Sequence, residues 1–103
     1  MTSTAFESPS TSTSHPWSFV TSHALALLEL ARDPNITIRE LATRLELTER
    51  HTHRVVTDLV DAGYVSRTRI GRRNRYEIDP SRQLRTPALA RHEVGDLLQL
   101  LAA

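Results

Sequence analysis

From residue 20 onward the apolar positions fall into three stretches of helical spacing, two short β-prone segments and a final helical stripe. In "HPWSFVTSHALALLELARDPN" the residues Trp17, Val20, Ala24, Leu27, Leu28 and Ala31 recur at the spacing of one helix face. This predicts a helix over about 21–32, capped by Thr21 or Ser22. It ends at "DPN", because Pro34 disfavours helical geometry at Asp33. Trp17 and Phe19 precede it as an arm expected to fold against the body.

The next signal is sharper. "TIRE" at 37–40 fits a capping box, with Thr37 capping the amide of Glu40 and Glu40 reaching back to the amide of Thr37. A second helix therefore starts at Ile38, turns Ile38, Leu41, Ala42 and Leu45 inward, and gives way at "ELT", 46–48. Thr48 is the expected N-cap of a third helix that buries Thr52, Val56, Leu59 and Val60 and stops at Gly63. Leu47 plugs the turn between the two.

After Gly63 the period changes. "YVSRTRI" and "RYEI" are β-prone and flank "GRRN", whose Gly and Asn suit a tight reversal. The reading is a hairpin with strands at about 64–70 and 75–79, Val65, Tyr76 and Ile78 on the buried face, and Pro80 closing it. "RHEVGDLLQLLA" then carries Val94, Leu97, Leu98 and Leu101 as a helical stripe, in which Gly95 costs roughly 1 kcal/mol relative to Ala and calls for a packing partner. Residues 1–14, mostly Ser, Thr and Pro, read as a disordered tail.

Composition narrows the function. A chain of 103 residues supports one modest core and lacks the length for a deep substrate cleft. With no Cys, thiolate metal sites, disulfides and thiol sensing are excluded. No apolar run approaches the roughly 18–20 residues of a membrane span, and the N-terminal residues lack the basic and apolar regions of a signal peptide, so the expected compartment is the cytoplasm. The net charge of +1 hides an asymmetry. Residues 22–62 carry five Arg against seven acids, whereas 63–85 carry seven Arg against two. The positive charge is concentrated in the hairpin and the loop after it.

The order helix, helix, three-residue turn, helix, Arg-rich hairpin, C-terminal helix resembles winged helix-turn-helix proteins of the MarR and ArsR type. The likeness is carried by "TIRELATRLELTERHTHRVVTDLVDAGYVSRTRIGRRNRYEI", 37–78. "LATRLELT" looks like the second helix and turn, "LVDAGYV" like the end of a recognition helix, and "GRRNRY" like a wing tip. The flanks "WSFVTSHALALLELARDP" and "GRRNRYEIDP" look most like a small actinobacterial-type group of stand-alone winged helix proteins. One departure is Glu46, where such turns commonly carry Gly because the backbone tends to positive φ. The resemblance implies a mainly α fold with a β-hairpin wing (α+β), sequence-specific binding of double-stranded DNA, transcriptional control and dimerisation. The expected division is a tail at 1–14, a winged helix-turn-helix domain at 15–85 and a C-terminal helix within 86–103. The apolar stripe of that helix either pairs across a two-fold axis, together with the N-terminal arm, or packs back on its own domain.

The stretch "ERHTHRVV", 49–56, raises a separate question, since His51-x-His53 has the look of a metal motif. Residues i and i+2 of a helix lie roughly 200° apart around the axis, so these two imidazoles cannot close on one ion. At i±3 and i±4, His51 meets Leu47, Arg54 and Val55, and His53 meets only Glu49 as a further ligand. Zinc needs three or four. No metal and no cofactor is expected. The same wheel leaves Glu49, Arg50, His51, His53, Arg54 and Thr57 facing outward, with Thr48 at the cap. Arg forks onto guanine, His donates to purine acceptors, Glu accepts from cytosine and Thr meets a thymine methyl.

On the hairpin, Arg67, Arg69, Arg72, Arg73, Asn74 and Arg75 are the expected contacts to a minor groove or to neighbouring phosphates. Thr37 and Thr48 read mainly as caps, with a phosphate contact as the other reading. Glu29, Asp33, Asp58 and Asp61 are expected to sit away from the DNA. An alternative is a winged helix used for protein interaction, which requires an apolar recognition surface that these residues do not offer. An enzyme is not expected, because no Ser-His-Asp set, carboxylate pair or phosphate loop appears at usable spacing.

Overall fold

The computed structural model describes residues 20–102, so the expectations for the 1–14 tail and for Trp17 and Phe19 lie outside the described residues. Helix α1, Ser22–Arg32, is capped by Thr21, whose hydroxyl accepts from the Ala24 amide. It buries Ala26, Leu27, Leu28 and Leu30, whereas Ala24 is half-buried and Ala31 exposed. The expected stripe is therefore displaced. The reason is that α1 is the central helix, packed against the three helices that follow and the hairpin, and so buries parts of two faces.

A short loop carries Ile36, only 2% exposed, into the core between α1 and α2, Ile38–Leu45. The capping box is present in full: Glu40 N–H donates to Thr37 Oγ1 at 3.1 Å, and Thr37 N–H donates to Glu40 Oε1 at 3.0 Å. The helix closes with the amide of Leu47 on the carbonyl of Ala42 and that of Glu46 on Thr43, the paired bonds of a Schellman end. This geometry puts Glu46 at φ 59°, ψ 42°. A left-handed non-Gly residue costs about 1–2 kcal/mol, so the turn keeps its geometry and loses some stability for it.

Helix α3, Glu49–Asp61, starts at Thr48, whose hydroxyl accepts from the His51 amide at 3.0 Å. Thr52, Val55, Val56 and Leu59 are buried, and Val60 is half-buried. Among the described residues, the Thr52 hydroxyl has no hydrogen-bond partner. α3 also ends in a Schellman pair, Tyr64 N–H to Leu59 and Gly63 N–H to Val60, but here the left-handed position is Gly63, φ 85°. A Cβ at that residue would come within 2.6 Å of the Arg82 guanidinium. A side chain at position 63 is thus strained by the backbone, and would also push the Arg82 guanidinium aside.

Strands β1, Val65–Ile70, and β2, Arg73–Ile78, form an antiparallel hairpin in the register Val65 to Ile78 through Ile70 to Arg73. The second strand starts two residues earlier than the sequence reading of 75, because the reversal needs only Gly71 and Arg72. Gly71 has φ 62°, the sign that the first central residue of a type II′ turn requires. Arg73 and Asn74 therefore belong to the strand and not to the tip. Val65 and Tyr76 are buried and Ile78 half-buried, as expected.

The chain then returns through a 3-10 turn, Pro87–Leu89, to α4, Val94–Ala102. Val94 is fully buried in the same core as Leu30, Val56 and Tyr76, while Leu97, Leu98 and Leu101 are half-buried and Leu100 exposed. The partner that Gly95 calls for is Pro80: the Gly95 amide donates to its carbonyl at 2.8 Å, and a Cβ would lie 3.0 Å from that oxygen.

Candidate nucleic-acid interface

The buried side of α3 fixes what its outer side presents. With Thr52, Val55, Val56 and Leu59 held in the core, Glu49, Arg50, His51, His53 and Arg54 are exposed and Thr57 is half-buried. Arg50, His51, His53, Arg54 and Thr57 line one open groove along the helix. Arg50 and Arg54 have no hydrogen bond or ion pair among the described residues. Their guanidinium donors are satisfied only by water, and stay available to an incoming acceptor. Glu49, in the first turn, is 3.9 Å from Arg39. No group of three or more His, Asp or Glu among the described residues is arranged to hold a metal ion.

The hairpin sorts its arginines by register. Arg67, Arg69 and Asn74 share the face that carries Val65 and Tyr76 inward, whereas Arg73 and Arg75 share the other with Thr68 and Ile70. Arg72 sits in the turn itself. Arg67, Arg72 and Arg75 are exposed and unpartnered among the described residues. Arg69 is turned back on the tip, its Nε donating to the Gly71 carbonyl at 2.9 Å. Arg73 reaches the body: one guanidinium nitrogen donates to the Asn35 carbonyl at 2.8 Å and lies 3.9 Å from Glu40 Oε1. Neither long-range contact, between residues 38 and 33 positions apart, leaves a trace in local spacing.

The acids are largely engaged elsewhere. Glu29 pairs with Arg44 at 3.1 Å and Arg32 at 3.7 Å, and Asp58 meets His23 at 2.8 Å across α1 and α3. Thr37 donates its hydroxyl hydrogen to Glu40 and accepts the Glu40 amide, so both its roles are filled inside the cap. The hydrogen bond from the Thr37 amide, then that from its hydroxyl, and then the charges of Arg73 and Arg44 hold the Glu40 carboxyl below its ordinary value. Asp79 is lowered likewise by the Ser81 hydroxyl and amide and by Arg82. The Thr48 hydroxyl accepts at its cap and keeps its hydrogen for another acceptor.

Among the described residues no helix is long and apolar enough to cross a membrane. A search of curated proteins found no match to the sequence. Several solved structures share the fold. A MarR protein of Peptoclostridium difficile superposes with a TM-score of 0.56 at 18% identity, over 80% of this chain and 48% of its own. MepR, a transcription regulator of the Staphylococcus aureus multidrug efflux pump MepA, gives 0.54 at 14% identity, over 80% and 56%. A Mycobacterium tuberculosis MarR family protein in complex with salicylic acid gives 0.52 at 24%, over 79% and 58%. This chain spans about half of the length of such proteins. All share its winged-helix arrangement of helices and hairpin. The family model described as MarR family matches residues 20–75, more than half of the 103, and the chain therefore belongs to the MarR family.

Proposed function

We propose that this protein is a sequence-specific, double-stranded DNA-binding transcriptional regulator. Helix α3 enters the major groove, and the wing lies on the adjacent minor groove or its phosphates. The observation that carries the reading is that, of the seven arginines that are exposed and lack a protein partner among the described residues, five, Arg50, Arg54, Arg67, Arg72 and Arg75, sit on α3 and the hairpin, the other two being Arg85 and Arg91 in the loop that follows. A cation that meets no carboxylate in its own fold is ready for a phosphate or a base edge. In this reading Thr48, Glu49, Arg50, His51, His53, Arg54 and Thr57 face the bases and nearest phosphates. Arg67, Arg69, Arg72, Asn74 and Arg75 hold the wing to the backbone.

The protein acts as a homodimer through α4, where Leu100 is 74% exposed, and the N-terminal arm. Two-fold symmetry then places two recognition helices about 34 Å apart on an inverted repeat. Selection from a random duplex pool, followed by anisotropy titration against salt, tests the proposal. The expected result is an enriched inverted repeat and a falling log K with log [salt], because each neutralised phosphate releases counterions. A flat plot with no enriched sequence overturns it.

A further inference from the structure

Strand β2 has a second edge, and the α1–α2 loop lies along it. The Tyr76 amide donates to the Pro34 carbonyl at 2.9 Å, and among the described residues this is the only backbone bond between loop and strand. The next carbonyl along the loop, Asn35, is taken by a side chain: Arg73 Nη2 donates to it at 2.8 Å. The loop is itself fixed. Asn35 N–H donates to Asp33 Oδ1, Ile36 is 2% exposed in the core, and the following residue, Thr37, caps α2. Glu40, which completes that cap, stands 3.9 Å from the same Arg73 nitrogen.

We infer that Arg73 is a positioning residue that braces the wing against the α1–α2 loop and so sets the wing's angle to the recognition helix, and is not itself a phosphate contact. This deepens the DNA-binding reading above and rests on it. Among the described residues, the polar ties of the outer hairpin, Arg67–Arg75, to the body are made by the Arg73 guanidinium, to the Asn35 carbonyl and to Glu40 of α2, with the Tyr76 amide bond to Pro34 directly below it. The exposed pair with Glu40 adds little by itself. The bond to Asn35 matters because it closes a contact between two backbones through one side chain. Without it, the wing arginines must be ordered at the moment of binding, and that entropy is charged against affinity.

The test compares Arg73→Ala with Arg72→Ala in the full chain, using a duplex selected by the unaltered protein. Arg72→Ala is expected to lower the slope of log K against log [salt] by about 0.9, the share of one phosphate. Arg73→Ala is expected to weaken binding about tenfold while keeping the unaltered slope, because an ordering cost releases no counterions. A slope lowered as in Arg72→Ala overturns the inference. Amide hydrogen exchange supplies a second reading, free of DNA. In Arg73→Ala the Tyr76 amide should exchange at least several-fold faster while that of Val56, in the α3 core, stays as slow as before.

Equal acceleration at both sites means general destabilisation and also overturns it. Glu40→Gln keeps both capping bonds and removes the charge, and is expected to quicken Tyr76 exchange about two- to threefold, in the same direction as Arg73→Ala; unchanged exchange in both variants counts against the brace. If the unaltered chain binds no duplex, the DNA-binding reading fails, and the exchange data alone decide whether Arg73 holds the wing.

Discussion

Arg44 and Arg54 lie on consecutive helices and have opposite surroundings. Arg44, at the end of α2, has Glu29 at 3.1 Å and Asp33 at 4.0 Å. Arg54, on the outer side of α3, has neither a carboxylate nor a carbonyl within reach among the described residues. The contrast extends across the molecule: among the described residues Arg32, Arg39, Arg44, Arg69, Arg73 and Arg82 have a partner in the fold, whereas Arg50, Arg54, Arg67, Arg72 and Arg75, with Arg85 and Arg91 beyond the hairpin, have none. A paired guanidinium has already exchanged water for a protein acceptor, so its loss is felt in the folded chain. An unpaired one has not, so its loss is felt only when another molecule supplies the acceptor.

The largest separation is expected for Arg54→Ala. It should weaken binding to the selected duplex by about 1–3 kcal/mol and relax the preference at one base position. Its unfolding free energy from urea titration should stay within about 0.5 kcal/mol of the unaltered chain, as for surface changes in general. Anisotropy and urea titrations measure the two, and a stability loss without an affinity loss would reverse the assignment.

Arg82→Ala should do the opposite. Arg82 donates to the Ala62 carbonyl at 3.0 Å, at the C-terminal end of α3 where a cation is favoured by the helix dipole. Stability should fall by about 1 kcal/mol with DNA affinity unchanged. Arg44→Ala comes next, at less than about 1 kcal/mol, since the pair is partly exposed. Raising the salt should shrink that difference further if the pair acts through charge.

The smallest effect is one of pH. The folded Glu40 carboxyl titrates below its ordinary 4.5, chiefly through the Thr37 amide and then its hydroxyl. The folded value being the lower one, this contribution to stability is whole above about 4.5 and is lost as pH falls through the folded value. Glu40→Gln should flatten the acid limb of a stability–pH profile, and an unaltered limb would remove Glu40 as its source.

Local chemistry was legible along the chain because caps and turns are written in adjacent residues. The box at Thr37 and Glu40, the cap at Thr48, the stop at Gly63 and most of the buried faces of α2 and α3 follow from spacing, although on α3 the buried set includes Val55 where the sequence reading has Val60. The departure at Glu46 came instead from the likeness to turns that carry Gly there, and its backbone is left-handed. What could not be read was whatever depends on a neighbour far away in sequence. Leu30 and Ala26 are buried because α1 meets several elements at once, a fact that a single-face wheel does not contain. Ile36 lies in the loop between α1 and α2, outside any periodic stretch, and is core.

The six polar wing residues were indistinguishable in sequence, and only the register and the Asn35 carbonyl separate Arg73 from Arg72. The outward set on α3 was recovered, since a helix with one buried side has a determined other side. Whether those residues touch DNA is a property of a second molecule, and no spacing rule reaches it.

Val94 bears on how such a protein can be recombined. Its side chain is fully enclosed with Leu30 and Val56, and a Cβ on the next residue would lie 3.0 Å from the Pro80 carbonyl oxygen. A C-terminal helix transplanted from a relative should therefore bring a branched aliphatic at its first position and is accommodated most easily with a glycine at its second. A graft lacking the first leaves a hole at the centre of the domain, and one lacking the second pushes against the base of the wing.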